Sequence, residues 1–172
     1  MSSKISVYPG VEITTEDVRS QKYLLTKYQT GLNYAWSSGV AMGRFLRGLK
    51  EKELWGRECD GCQRILVPPR MYCESCYRPT DRWSRLRDAG KVVTYSIAHV
   101  NSDASRRSEP ILLAVMEIEG ASPLMGILHL LGEVPPEKVR IGMKVEAVWR
   151  PDGERTGAIT DILHFRPMTR SR

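Results

Sequence analysis

Outside one short stretch the chain has no cysteine: all four lie between Cys59 and Cys76. No thiol is left over to act as a nucleophile elsewhere, and an extended disulfide framework is excluded with it. Long apolar runs are missing too. None approaches the roughly eighteen residues of a membrane span, and Met1 to Gly10 lack the apolar stretch of a secretory leader, so a soluble cytoplasmic protein is expected. Catalytic signatures are equally scarce. There is no Gly-x-Ser-x-Gly elbow, Walker loop or dinucleotide fingerprint. The three histidines, His99, His129 and His164, fall one each in three predicted strands and read as structural or surface residues. Glu117 and Glu119 read as solvated strand-end acids rather than an acid/base couple.

What is present centres on residues 57–76. The pairs Cys59-x-x-Cys62 and Cys73-x-x-Cys76 are separated by ten residues. Each can fold into a tight knuckle, and two facing knuckles set four thiolates at the corners of a tetrahedron. A closed four-sulfur shell leaves no position for water or substrate, so the expected metal is structural Zn²⁺, with iron in the same cage as the main rival. Disulfides would imply export, and no βαβ pattern flanks either pair as a redox motif would require. The common ribbon knuckle carries glycine after its second cysteine. Here Gln63 and Tyr77 stand at those places, so strain is expected, with Gly61 available to relieve the first turn.

Charge is uneven. The net formal charge is +6, with an excess of +1 over residues 1–43, +5 over 44–87 and zero over 88–172. The positive surplus sits around the ribbon, where Arg64, Arg70, Arg78, Arg82, Arg85 and Arg87 fit either a solvated basic surface or a landing site for an anionic ligand or acidic partner.

The flanking segments differ in kind. Thr14 to Asp17 reads as a cap with first-turn acids leading a helix over 18–29. A second helix starts near Ser37-Ser38 and places Met42, Phe45, Leu46 and Leu49 on one apolar face. That face is expected to cover either the barrel or another chain. After the ribbon, strands are predicted at 83–86, 91–100, 111–118, 124–131, 144–149 and 157–165, with a polar loop at 101–109. The expected fold is mainly β with N-terminal helices: a helical arm (1–54), a rubredoxin-like zinc ribbon (55–81), a five-stranded Greek-key barrel of OB type (82–168) and a tail (169–172).

Such barrels often bind single-stranded nucleic acid through aromatic and cationic side chains on their second and third strands. Ile111 to Glu119 and Leu124 to Leu131 contain no aromatic, lysine or arginine. Both are apolar at nearly every position, where a half-solvated wall would alternate, so their outer face is expected to be covered.

Several stretches together carry a family resemblance. Phe45-Leu46-x-x-Leu49-Lys50, the run from Cys59 through Val67-Pro68-Pro69-Arg70 to Cys76, Asp88-x-Gly90-x-Val92-x-Thr94-Tyr95, and Ile141-Gly142-Met143-x-Val145 look like the acyl-CoA-associated zinc-ribbon/OB-fold family over residues 37–166. The resemblance implies a non-catalytic accessory subunit that binds a thiolase-like acyl-CoA enzyme in a hetero-oligomer and helps form or bridge its CoA-thioester site. Arg64, Arg70 and Arg78 are then candidate CoA or partner contacts, and Met42, Phe45, Leu46 and Leu49 a candidate partner-binding surface. The rival readings are a nucleic-acid-binding OB protein and a self-sufficient acyl-CoA enzyme in which a histidine works with a carboxylate.

Overall fold

The computed structural model describes residues 12–23, 31 and 33–168. They divide into two units, Met1–Trp36 and Ser37–Arg172. In the first, helix α1 (Thr15–Arg19) opens on a capping box. The Thr14 hydroxyl accepts from the Asp17 amide at 3.2 Å, and the Asp17 carboxylate accepts from the Thr14 amide at 3.1 Å. Lys22, together with Thr14, holds the Asp17 carboxyl below its ordinary range. The start of this helix matches the cap signal, but it ends at Arg19 rather than continuing. Residues 24–29 of the expected helix lie outside the described residues.

The second unit begins with α2 (Gly39–Lys50). The apolar face read from the sequence turns inward: Phe45 and Leu49 are 2% and 0% exposed, and Met42 and Leu46 pack partly buried against the same core. As an exposed partner surface Phe45 and Leu49 are therefore corrected, because the helix buries them within its own chain, while Met42 and Leu46 keep part of their surface. The structural division falls at Trp36/Ser37, which separates α2 from the arm expected over 1–54. Helix α2 packs on β1 (Leu54–Glu58) and on a 3₁₀ turn at Ile159–Asp161. Arg155 ties the two ends of this contact, donating from Nε to the Lys50 carbonyl at the helix C-terminus at 2.7 Å.

Strand β1 is the centre of a three-stranded antiparallel sheet with β2 (Ile65–Leu66) and β3 (Arg82–Leu86) on its edges. The strand at 82–86, assigned to the barrel from sequence, thus completes the ribbon. Its register pairs Trp83 with Arg57 and Arg85 with Trp55.

The barrel is made of β4 (Ala89–Val100), β5 (Arg106–Ile118), β6 (Gly126–Leu130), β7 (Lys144–Trp149) and β8 (Ile162–Pro167), in the order β6-β5-β4-β7-β8. A parallel bridge from Leu131 to Phe165 draws the two edges together. Gly90 stands where β4 crosses β5 so closely that a Cβ would collide with the Glu117 carbonyl. Asp88, two residues earlier, accepts the Trp149 indole N–H at 2.9 Å. Strand β5 begins five residues before the expected 111, so Arg106 to Glu109 extend the β4–β5 hairpin rather than forming loop. Pro110 is tolerated because β6 pairs with β5 only from Leu113 onward, which leaves its nitrogen without a ladder to serve.

One core runs through both parts of this unit, from Phe45, Leu49, Leu54 and Leu66 to Met116, Ile127 and Phe165. On β5, Leu112, Ala114, Met116 and Ile118 are buried while Leu113 and Val115 are half-buried. Strand β6 adds Leu128 and Leu130, 65% and 41% exposed, opposite Val115 and Leu113. The two strands thus alternate after all, but with leucine and valine on both sides. No helix among the described residues is long and apolar enough to cross a membrane.

Candidate metal centre and its surroundings

The two knuckles repeat one hydrogen-bonding pattern. Cys59 N–H donates to the Arg64 carbonyl and Gln63 N–H to the Cys59 carbonyl; Cys73 N–H donates to Arg78 and Tyr77 N–H to Cys73, all at 2.7–2.9 Å. Closing each loop requires left-handed backbone at Gln63 (φ 59°) and Tyr77 (φ 57°). These are the positions where glycine was missed, so both knuckles carry the strain and Gly61 does not relieve it. Ser122, in the turn before β6, joins the ribbon to the barrel: its hydroxyl accepts from Ile65 N–H at 2.9 Å and its own N–H donates to the Ile65 carbonyl at 3.0 Å.

The four sulfurs of Cys59, Cys62, Cys73 and Cys76 lie within 4.8 Å of one another. The Cys59–Cys76, Cys62–Cys73 and Cys62–Cys76 pairs stand at 3.3, 3.5 and 3.9 Å. A tetrahedron with metal–sulfur bonds of about 2.3 Å has edges of about 3.8 Å, so the cage fits Zn²⁺. The spacings are far beyond a disulfide bond of about 2.05 Å. The thiols are unequal. Amide donors of Ser75 and Cys76 pull Cys73 down to about 6. Cys62 receives the Arg64 amide, yet the neighbouring Cys73 sulfur and burial push it up to about 12. Packed sulfurs cannot all carry charge unaided, and a bound cation removes that conflict. Bound there, the metal would hold β1, β2 and both knuckles together and do no chemistry of its own.

Arg64 and Arg70 converge on one carboxylate, Glu74, at 2.7 and 3.1 Å. The Glu74 carboxyl is held low by its own backbone amide and by these two guanidiniums. Arg78 lies apart from them, against Gly61 of the first knuckle. The three candidate contact arginines therefore do not form one cationic site.

A different cluster forms where α2 meets the ribbon sheet. Alternate residues of β1 and β3 put Trp55, Arg57, Trp83 and Arg85 on one face. Arg44 of α2 stacks its guanidinium on Trp55 at 4.4 Å and on Trp83 at 4.6 Å, and Arg57 stacks on Trp83 at 4.9 Å. Gly48 makes this possible, because a Cβ there would strike the Trp55 ring. Arg57 is 8% exposed; it donates to the Thr80 carbonyl and to Met71 Sδ, and its Nε has no partner. Sequence reading singles out none of Arg44, Trp55 and Trp83. The available signal was two tryptophans bracketing the cysteine run at alternating strand positions beside arginines.

The histidines separate clearly. His129 accepts Leu130 N–H at Nδ1 (2.8 Å) and lies 3.2 Å from the Ile159 carbonyl at Nε2, which fixes a neutral ring. Burial lowers its pKa in spite of these bonds. His164 Nε2 meets Glu133 Oε1 at 3.0 Å, and Arg166 reaches the same carboxylate. His99 is exposed.

This architecture matches known domains in order. The ChsH2 rubredoxin-like zinc ribbon domain is matched over residues 47–81 and the ChsH2 C-terminal OB-fold domain over 83–150. A "DUF35 domain-containing scaffold protein" of Methanocaldococcus jannaschii is 35% identical over 130 residues, 73% of this chain and 89% of that protein. One from Pyrococcus furiosus is 29% identical over 77% of this chain and 96% of its own length. Among solved structures, a DUF35-family protein of Sulfolobus solfataricus superposes with TM-score 0.57 at 22% identity, covering 76% of this chain and 87% of that one. A chain of an Ltp2-ChsH2(DUF35) aldolase gives 0.56 at 22%, covering 78% and 98%. With its four-cysteine ribbon leading into an OB barrel, and identity at this level along most of its length, the chain belongs to the DUF35 family.

Proposed function

We propose that this chain is a non-catalytic scaffold subunit of a cytoplasmic enzyme acting on CoA thioesters, with a thiolase-like partner and one structural Zn²⁺ on Cys59, Cys62, Cys73 and Cys76. The observation that carries the reading is the 35% identity to a relative named as a scaffold protein. A chain of the same fold stands in a complex named as an aldolase, which supports an enzyme as the partner. The exposed leucines of β6, beside Leu113 and Val115, supply an apolar face for a second protein. Arg64, Arg70 and Arg78 would sit at the rim of that contact or near the CoA ester.

The test is purification of a tagged chain from its native cells and identification of what co-elutes. The expected result is a larger acyl-CoA enzyme bearing a reactive cysteine, lost when Leu128→Asp is introduced, and no thiolase, hydratase or thioesterase activity in the chain alone. An uncomplexed, active chain would overturn it. The His164–Glu133 pair favours one second reading, a self-sufficient enzyme. On that reading Glu133→Gln would abolish activity of the isolated chain; on ours there is none to abolish. Single-stranded DNA and RNA are expected not to bind with sub-micromolar affinity at about 150 mM salt, where weak surface attraction is screened.

A further inference from the structure

The cations around the ribbon are not equivalent. Arg64, Arg70, Arg82, Arg85 and Arg87 each reach a carboxylate. Among the described residues, Arg44 and Arg47 form no such pair, and both line a concavity of about 420 Å³ between α2 and β1. Two indole rings within 4.6 Å of its guanidinium carbon hold Arg44 in place, and its N–H groups form no ion pair among the described residues, so they remain available to a ligand in the concavity. Its rotamer freedom is already spent, so an anion that binds it loses less entropy. Arg47 follows three residues later on the same helix face. Glu53, on the opposite wall, is engaged: it accepts the Trp55 indole N–H and pairs with Arg85, both at 3.0 Å. Glu51 is the remaining acid in the lining. A Cβ added to Gly43 would meet nothing, so a ligand can approach the helix closely. Behind Trp83, buried Arg57 adds a third guanidinium that has no carboxylate among the described residues.

We propose that this groove binds the phosphate of a small nucleotide-type ligand, with Arg44 and Arg47 gripping the phosphate and Trp55 forming the wall beside it. Two guanidiniums one turn apart suit a phosphomonoester dianion better than a single carboxylate. The volume falls in the small-ligand range of about 300–1,000 Å³. The phosphate could come from the 3′-phosphorylated ADP portion of a CoA thioester or from a free nucleotide. Only the first source rests on the scaffold reading above.

The experiment is calorimetric titration of the purified zinc-loaded full chain at about 150 mM salt, with tryptophan fluorescence read in parallel. The titrants are CoA, adenosine 3′,5′-bisphosphate, AMP, pyrophosphate and a hexaglutamate peptide. The expected result is saturable one-site binding of at least one phosphate compound, weakened about tenfold or more by Arg47→Ala and by Arg44→Ala, and abolished by Gly43→Leu, which fills the groove. Lys91→Ala, whose partner is Glu117, should bind as the parent does. CoA and the bisphosphate binding well ahead of AMP identifies the CoA source, and equal binding of AMP identifies a free nucleotide. Absence of saturation by any phosphate at millimolar concentration, binding indifferent to Arg44 and Arg47 in variants that melt as the parent does, or preference for hexaglutamate would each overturn the proposal. A complex that forms with its enzyme while the groove fails these titrations would leave the scaffold reading intact.

Discussion

Tyr77 holds a left-handed backbone with its side chain 85% exposed, so it bears the conformational penalty of that region with little packing to offset it. A non-glycine residue there costs about 1–2 kcal/mol, and glycine returns part of that as unfolded-state entropy. Tyr77→Gly should therefore raise stability by about 0.5–1 kcal/mol, and β-branched Tyr77→Val should lower it, both read by denaturant unfolding of the zinc-loaded protein. Asp161 illustrates the opposite case, a buried charge with a purpose. It is 1% exposed and accepts the amides of Thr156, Gly157 and Ala158 at 3.0, 2.7 and 3.2 Å. Burial alone would raise its pKa; the three amides and Arg150 outweigh it and bring the value below the ordinary range. Because the folded value is depressed, the carboxylate's stabilisation is fully present above the unfolded pKa of about 3.9 and is lost as pH falls through the folded one. Asp161→Asn should cost about 2–3 kcal/mol near neutrality, and the gap between parent and variant should shrink in unfolding curves taken at progressively lower pH below about 4.

Helix α2 shows why an amphipathic pattern does not say what it covers. The i, i+3, i+4, i+7 spacing of Met42, Phe45, Leu46 and Leu49 was legible, and so was the starting point near Ser38. Whether that face met the same chain or another depended on how the chain turns back into β1 and on the loop around Arg155, 105 residues from Lys50. Phe45→Ala should accordingly destabilise the isolated chain by about 3–5 kcal/mol, since it empties a fully packed site. A loss near zero, with weakening seen only in a complex, would mean the side chain is free in solution. The same limit applies to β3. A strand was legible at 83–86, but only the Arg57–Trp83 and Leu54–Leu86 pairings made it part of the ribbon.

At the scale of the molecule, ribbon and barrel share one hydrophobic core and the Ile65–Ser122 hydrogen bonds. Structural zinc contributes on the order of 10 kcal/mol in small domains. Chelation, or serine at any of the four cysteines, should speed amide exchange across residues 54–86 while the interior barrel strands β4 and β5 stay slowest. The melting temperature should fall as well, because Leu54, Leu66 and Leu86 then leave the common core. Unchanged protection of the ribbon in metal-free protein would refute this. Metal analysis of the parent should find about one zinc per chain, and a rubredoxin-like visible spectrum would indicate iron instead.

The sequence by itself determined the four-cysteine cluster and the order of ribbon and barrel, because both follow from local spacing and chain order: two Cys-x-x-Cys turns ten residues apart, followed by a run of strands. Tertiary structure decided which cations are free. Glu74 neutralises Arg64 and Arg70 from within the second knuckle, whereas Arg44 is held by two tryptophans, one on each side of the cysteine run in the sequence. Charge pairing and stacking depend on how side chains of different elements and turns meet in space, and no periodicity within a single segment encodes those meetings.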